Sequence, residues 1–190
     1  MKKVFLLIII SLSLILMSSC KGGNMIVIEL TDGREIKLEL YPDVAPKTVE
    51  NFYKLIDDKH FDNVIFHRVI EGFMIQAGAL VIDGNTLDYN KSVSSIPGEF
   101  TSNGFVNDLK HVAGVISMAR SNDPNSGGGQ FFICSAASPH LDGKYAAFGK
   151  TVDEESLQVV LDISKVETTY FSGFNDFPVE PVVIKTIKRI

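Results

Sequence analysis

Tryptophan is absent from this sequence, and cysteine occurs only at Cys20 and Cys134. Two cysteines rule out a disulfide-stapled scaffold. The four histidines (His60, His67, His111 and His140) are scattered, with no cysteine pair beside them and no His-Glu-x-x-His run. A zinc site is therefore not expected. There is no Gly-x-Ser-x-Gly elbow, since Gly114-Val115-Ile116-Ser117 has the wrong spacing. Ser126-Gly127-Gly128-Gly129 lacks the Lys-Ser/Thr that completes a phosphate loop, and reads as a flexible turn. No pair of carboxylates stands apart from the solvated surface charge. Basic clusters are lacking as well. The 18 Lys and Arg face 23 Asp and Glu, and Lys2 and Lys3 belong to the N-terminal segment, so the rest of the chain carries −7. Such a domain is poorly suited to phosphate backbones, and nucleic acid is excluded as a partner.

What is present begins at the N-terminus. Lys2 and Lys3 precede residues 4–17, which are apolar except for Ser11 and Ser13. A membrane-spanning helix needs about 20 such residues, so this run has the length of a signal-peptide core instead. It ends in Leu16-Met17-Ser18-Ser19-Cys20, which resembles the bacterial lipobox. That resemblance implies a signal peptide over 1–19, a lipid on Cys20, and a tether over 20–24. The domain beginning at residue 25 would sit close to an extracytoplasmic membrane surface, because four residues reach at most about 14 Å. The competing reading is a cytoplasmic protein started from Met25. With Cys20 lipidated, Cys134 is left alone inside Phe131-Phe132-Ile133-Cys134, where it reads as a small buried hydrophobe.

From residue 25 the pattern is that of short strands. Residues 25–30 and 35–40 flank Thr31-Asp32-Gly33-Arg34, a hairpin signal. Val49, Phe52, Tyr53 and Ile56 recur at helical spacing after Pro46, a residue suited to a first helical turn. Residues 61–77 read as buried strands, and the polar stretch 81–95 as a long loop. Further strands are expected near 112–119, 130–135, 145–152 and 181–187. A second helix with Leu157, Val160, Leu161 and Ser164 on one face opens at Asp153 as N-cap. Many short strands with two helices imply a closed barrel or a sandwich.

Two blocks carry the functional reading. The first is Phe66-His67-Arg68-Val69-Ile70-Glu71-Gly72-Phe73-Met74-Ile75-Gln76. The second holds Ser117-Met118-Ala119, Gln130-Phe131-Phe132-Ile133 and His140-Leu141-Asp142-Gly143-Lys144-Tyr145. Together with Ala45-Pro46-Lys47-Thr48-Val49-Glu50-Asn51-Phe52, these are similar to the cyclophilins, in family order from about residue 25 to 190. The resemblance implies a mainly β fold, a closed eight-stranded antiparallel barrel capped by two α-helices. It implies a peptidyl-prolyl cis-trans isomerase acting on proline-containing polypeptides, without metal or cofactor, with a monomer as the default. By motif position the catalytic residues would be Arg68, Gln76 and Phe132. The substrate-binding residues would be Phe73, Met74, Ala119, Gln130, His140, Leu141 and Tyr145. Alternation along the strand is expected to turn His67 to the face opposite Arg68. The chain departs from the family at Ala77-Gly78-Ala79, over 81–95, at Arg120 (commonly Asn) and at His140 (Trp in vertebrate-like members). The last departure removes a ground for expecting tight cyclosporin binding.

Overall fold

The computed structural model describes residues 23–83 and 86–190. The elements run β1 (Met25–Leu30), β2 (Glu35–Leu40), α1 (Pro46–Asp57), β3 (Val64–Ile70), β4 (Met74–Asp83), β5 (Thr86–Tyr89), β6 (Val115–Met118) and β7 (Phe131–Cys134). Then come β8 (Ala147–Thr151), α2 (Glu154–Ile163), β9 (Thr168–Phe171), β10 (Phe174–Pro178) and β11 (Val183–Arg189). Strand order is β3-β11-β1-β2-β8-β6-β7-β4, and β4 pairs back onto β3. Eight antiparallel strands thus close a barrel, as the resemblance implied. Closure leaves no unpaired edge around the ring. The proposed signal peptide and Cys20 lie outside the described residues.

Period-two alternation fills the barrel. Ile26, Ile28 and Leu30 of β1 and Ile36, Leu38 and Leu40 of β2 all point into one core with Phe66, Ile116, Phe131 and Phe148. Helix α1 closes the barrel through Val49, Phe52, Leu55 and Ile56. The Phe52 ring lies 4.8, 5.4 and 5.2 Å from those of Phe61, Phe131 and Phe148. Because Ala45 offers no capping side chain, the N-terminus of α1 is capped from afar. The buried Glu99 carboxylate accepts from the backbone N–H of Lys47 and Thr48 and from the Thr48 hydroxyl, at 3.0, 2.8 and 2.8 Å. It thereby satisfies orphan donors at the positive end of the helix dipole.

Three expectations need correction. Residues 81–95 are not all loop: β4 continues to Asp83 and pairs with β5, Leu80 opposite Tyr89 and Ile82 opposite Leu87. This hairpin projects beyond the barrel, so polar residues alternate with the few apolar ones that pack on β10. The β9–β10 hairpin also falls outside the strands expected. It turns at Ser172 and Gly173, both at positive φ, and lays Phe177 over Ile65 and Leu80 as a small outer core. Helix α2 does open at Asp153, whose carboxylate accepts from Ser156 N–H at 2.7 Å. Its buried face, however, is Ser156, Val159, Val160 and Ile163, with Leu157 and Leu161 only half-buried. The Ser156 hydroxyl accepts from Lys37 N–H at 2.9 Å, and this tie to β2 turns the helix by about one position.

Candidate active site

The outward side chains of three neighbouring strands form one wall. On β4, Ile75 and Ala77 enter the core, so Met74 and Gln76 face out; on β7, Phe131 and Ile133 enter, so Phe132 and Cys134 face out. Register then aligns a row: Arg68 is opposite Gln76, and Gln76 is opposite Phe132. A cavity of about 130 Å³ opens there, lined by Arg68, Phe73, Met74, Gln76, Ala119, Arg120, Phe132, Leu141 and Tyr145. That volume admits one small ring and falls below the range of about 300–1,000 Å³ typical of drug-sized ligand sites.

Eight of the ten residues expected from sequence line this slot. Gln130 lies beside it, its Oε1 accepting from Gln76 Nε2 at 3.0 Å, which fixes both amides. His140 sits at the rim, its ring 5.3 Å from that of Phe73. Both His140 and Leu141 ride on the short 3-10 turn Pro139–Leu141.

The expected placement of His67 is overturned. Phe66 and Val69 both enter the barrel core, so two residues rather than one lie between successive inward positions. The register slips between Phe66 and Arg68, a bulge that adds one residue to β3. His67 and Arg68 consequently line the same outer cavity, a larger one of about 630 Å³. The bulge re-aims Arg68 to the saddle between the two cavities, which share Arg68, Gln76, Ala119 and Arg120.

Behind the slot, Asp142, His111 and Ser117 stand in a row. The His111 ring contacts Asp142 Oδ1 through Nδ1 and the Ser117 hydroxyl through Nε2, each at 3.0 Å. With Nδ1–H donating to the carboxylate, Nε2 accepts the hydroxyl proton. This is the order of groups in a serine hydrolase. Yet Ser117 is 0% exposed, and the Phe132 ring stacks on His111 with centroids 6.0 Å apart. A substrate carbonyl has no path to that hydroxyl; the row props up the Phe132 wall. Burial holds His111 below the usual imidazole range, although Asp142 pulls the other way. Burial raises Asp142, but hydrogen bonds from the His111 backbone and ring outweigh it and leave the carboxyl low. Cys134 lies under the wall with its thiol pushed up to about 12 by burial, so it stays protonated and is no nucleophile.

Two groups at the site were not among the expected site residues. Arg120 donates from Nε to the Lys144 carbonyl at 3.0 Å and from Nη1 to that of Ser121 at 2.8 Å. Its guanidinium lies 4.5 Å from the Tyr145 ring centroid and 5.1 Å from that of Phe100. Asp176 of β10 approaches Arg68, with Oδ2 3.7 Å from Nε. The Arg120 position had shown itself only as a departure from the family pattern. Asp176 had no signal at all, because the hairpin that carries it was not anticipated.

A family model for cyclophilin-type peptidyl-prolyl cis-trans isomerases matches residues 25–189, nearly all of the described chain. The chain belongs to the cyclophilin-type peptidyl-prolyl cis-trans isomerases. This cyclophilin is 40% identical to the chicken (Gallus gallus) peptidyl-prolyl cis-trans isomerase-like 3 over 156 residues, covering 81% of this chain and 92% of the relative. It is 45% identical to a peptidyl-prolyl cis-trans isomerase of Synechococcus elongatus over 130 residues, 68% of this chain and 82% of the relative. Among solved structures it resembles the Cryptosporidium parvum cyclophilin determined in the presence of the dipeptide Ala-Pro. The TM-score is 0.68 at 29% identity, covering 87% of this chain and 98% of that one. The cyclophilin barrel thus carries its slot on the outer face of β3, β4 and β7.

Proposed function

We propose that this isomerase accelerates X-Pro rotation without covalent chemistry, with Arg68 as the catalytic cation. The X-Pro bond isomerises in tens to hundreds of seconds because rotation breaks amide resonance, a barrier of about 18–20 kcal/mol. Raising about 0.01 s⁻¹ to about 10 s⁻¹ requires roughly 4 kcal/mol of differential stabilisation. A few aimed donors and a dry slot suffice for that. As the amide twists, its nitrogen becomes pyramidal and gains a lone pair. A guanidinium donates to that lone pair more strongly in the twisted state than in either planar one. Phe73, Met74, Phe132 and Leu141 would hold the proline ring, while Gln76 and Gln130 would fix neighbouring backbone groups.

The observation carrying this reading is the cross-strand row, which sets Arg68 at the mouth of an apolar slot floored by Phe132. Exchange of an Ala-Pro peptide, followed for the wild type and Arg68→Ala, tests it. The substitution is expected to slow turnover by about a hundredfold; equal rates would refute the role.

The substrates we propose are exported or surface polypeptides, met by an enzyme held at the membrane through lipid on Cys20. The reading rests on Lys2 and Lys3, the apolar segment and the Leu16-to-Cys20 run. Metabolic labelling with a radioactive fatty acid checks it. Label should enter the wild type and be lost in Cys20→Ala, and an unlabelled wild type would defeat the anchor.

A further inference from the structure

The chain enters the barrel on the side that faces away from the slot. The Asn24 carbonyl accepts from Leu40 N–H at 2.8 Å, and the Met25 carbonyl from Ile190 N–H at 3.0 Å. The start of β1 is thus clamped between the last residues of β2 and the C-terminus that follows β11. Around the closed ring β3-β11-β1-β2-β8-β6-β7-β4, β1 lies four places from β7 in either direction, and β2 four places from β4. In a ring of eight, four places is diametrically opposite. Phe132 of β7 and Gln76 of β4 sit opposite each other in the slot wall and point outward. They therefore project from the side of the barrel opposite the entry point.

Reach then fixes orientation. The four residues between Cys20 and Met25 span at most about 14 Å when fully extended. A compact domain of this length has a radius of gyration of about 15 Å, hence a diameter of about 40 Å. A linker that short does not wrap round the barrel to bring the far wall down to a bilayer. Charge does not compete with the linker. On the wall made by β11, β1 and β2, Lys37, Lys185 and Lys188 stand against Glu29, Glu35 and Glu39. The Glu29 carboxylate is itself held by Lys188 at 2.7 Å and Lys185 at 3.9 Å. A wall so balanced is neither repelled nor strongly drawn by anionic headgroups. We infer that the β11-β1-β2 wall faces the bilayer and that the slot opens away from it. The substrates are then X-Pro segments of water-exposed chains standing clear of the membrane, not segments lying in its surface. This orientation rests on lipid at Cys20 and adds to that reading which wall the membrane meets.

The test uses the lipidated protein in phosphatidylcholine vesicles that contain a lipid spin-labelled at its headgroup as quencher. A fluorophore is attached at Glu39→Cys or Lys188→Cys on the entry wall, or at Lys144→Cys beside the slot, all three exposed positions. Cys134 is buried with its thiol held protonated, so it does not compete for the label. Quenching at positions 39 and 188 should exceed that at 144 by about threefold, given the breadth of the domain. The difference should persist in high salt, because the linker and not charge sets it. Exchange of a soluble Ala-Pro peptide should run at the same kcat/KM on vesicles as after release in detergent. Equal quenching at the three positions, or more at 144 than at 188, would overturn the orientation and leave the anchor standing. Exchange blocked on vesicles and restored by detergent would overturn it too. Protein that fails to float with the vesicles would defeat the anchor and the orientation together.

Discussion

The Nε of Arg68 lies 3.7 Å from Oδ2 of Asp176, a carboxylate brought to the slot by a hairpin outside the barrel. Both side chains are about two-fifths exposed, at 42% and 40%, so the pair contributes little stability. Its effect is on aim, because a long side chain on a bulge has many rotamers. Asp176 occupies φ +57°, a left-handed conformation that Asn also tolerates. Asp176→Asn therefore removes the charge and keeps the backbone. A two- to fivefold loss in kcat/KM with a stability change below about 1 kcal/mol is expected. Peptide exchange and urea unfolding of the same variant check both halves.

Ser117 separates support from chemistry. Replacing it by Ala leaves the buried His111 Nε2 without its donor, which should cost about 1–3 kcal/mol in chemical denaturation. Exchange activity should survive within a few-fold. Abolition of activity with the fold intact would give the Asp142–His111–Ser117 row a direct chemical role.

Glu99 tests the distant cap of α1. Glu99→Ala strips three hydrogen bonds from the helix start, two of them from backbone donors. Charge-assisted bonds of this kind lead to an expected loss of about 3 kcal/mol, read as a lower denaturation midpoint. A loss below 1 kcal/mol would mean that water replaces the carboxylate there.

His67 makes stability depend on pH. Burial lowers its pKa from 6.5 to about 4, so between those values the unfolded chain binds the extra proton. Stability from this group is whole above pH 6.5 and declines as pH falls toward 4. Near pH 4.5 the loss amounts to about 2–3 kcal/mol. His67 Nδ1 is buried with no hydrogen-bond partner among the described residues, so Phe at this position removes a liability. Urea unfolding at pH 7.5 and 4.5 should show a smaller difference for His67→Phe than for the wild type.

The sequence was legible where one physical rule acted alone. Strict alternation in Glu35–Leu40 placed β2, Asp153 marked the start of α2, and the ordered blocks around Arg68 and Phe132 brought eight residues into one slot. It was misleading where two rules competed. The bulge at His67 breaks alternation, and no residue type there announces it. The hydrogen bond from Lys37 N–H to Ser156 fixes the roll of α2 more firmly than its leucines do. Ser172-Gly173 between Phe171 and Phe174 is a hairpin signal, yet no strand was expected between α2 and residue 181. Asp176 near Arg68 joins residues more than a hundred positions apart, and no local pattern encodes such a meeting.

A cation that acts on the twisted amide should affect turnover far more than binding. Exchange rates and affinity for one Ala-Pro peptide should be measured on the wild type and on Arg68→Ala. A guanidinium that favours the twisted amide over both planar forms should, when removed, lower kcat about a hundredfold and change Kd by no more than a few-fold. Unchanged kcat with weakened binding would contradict it, leaving Arg68 a mere anchor for the peptide.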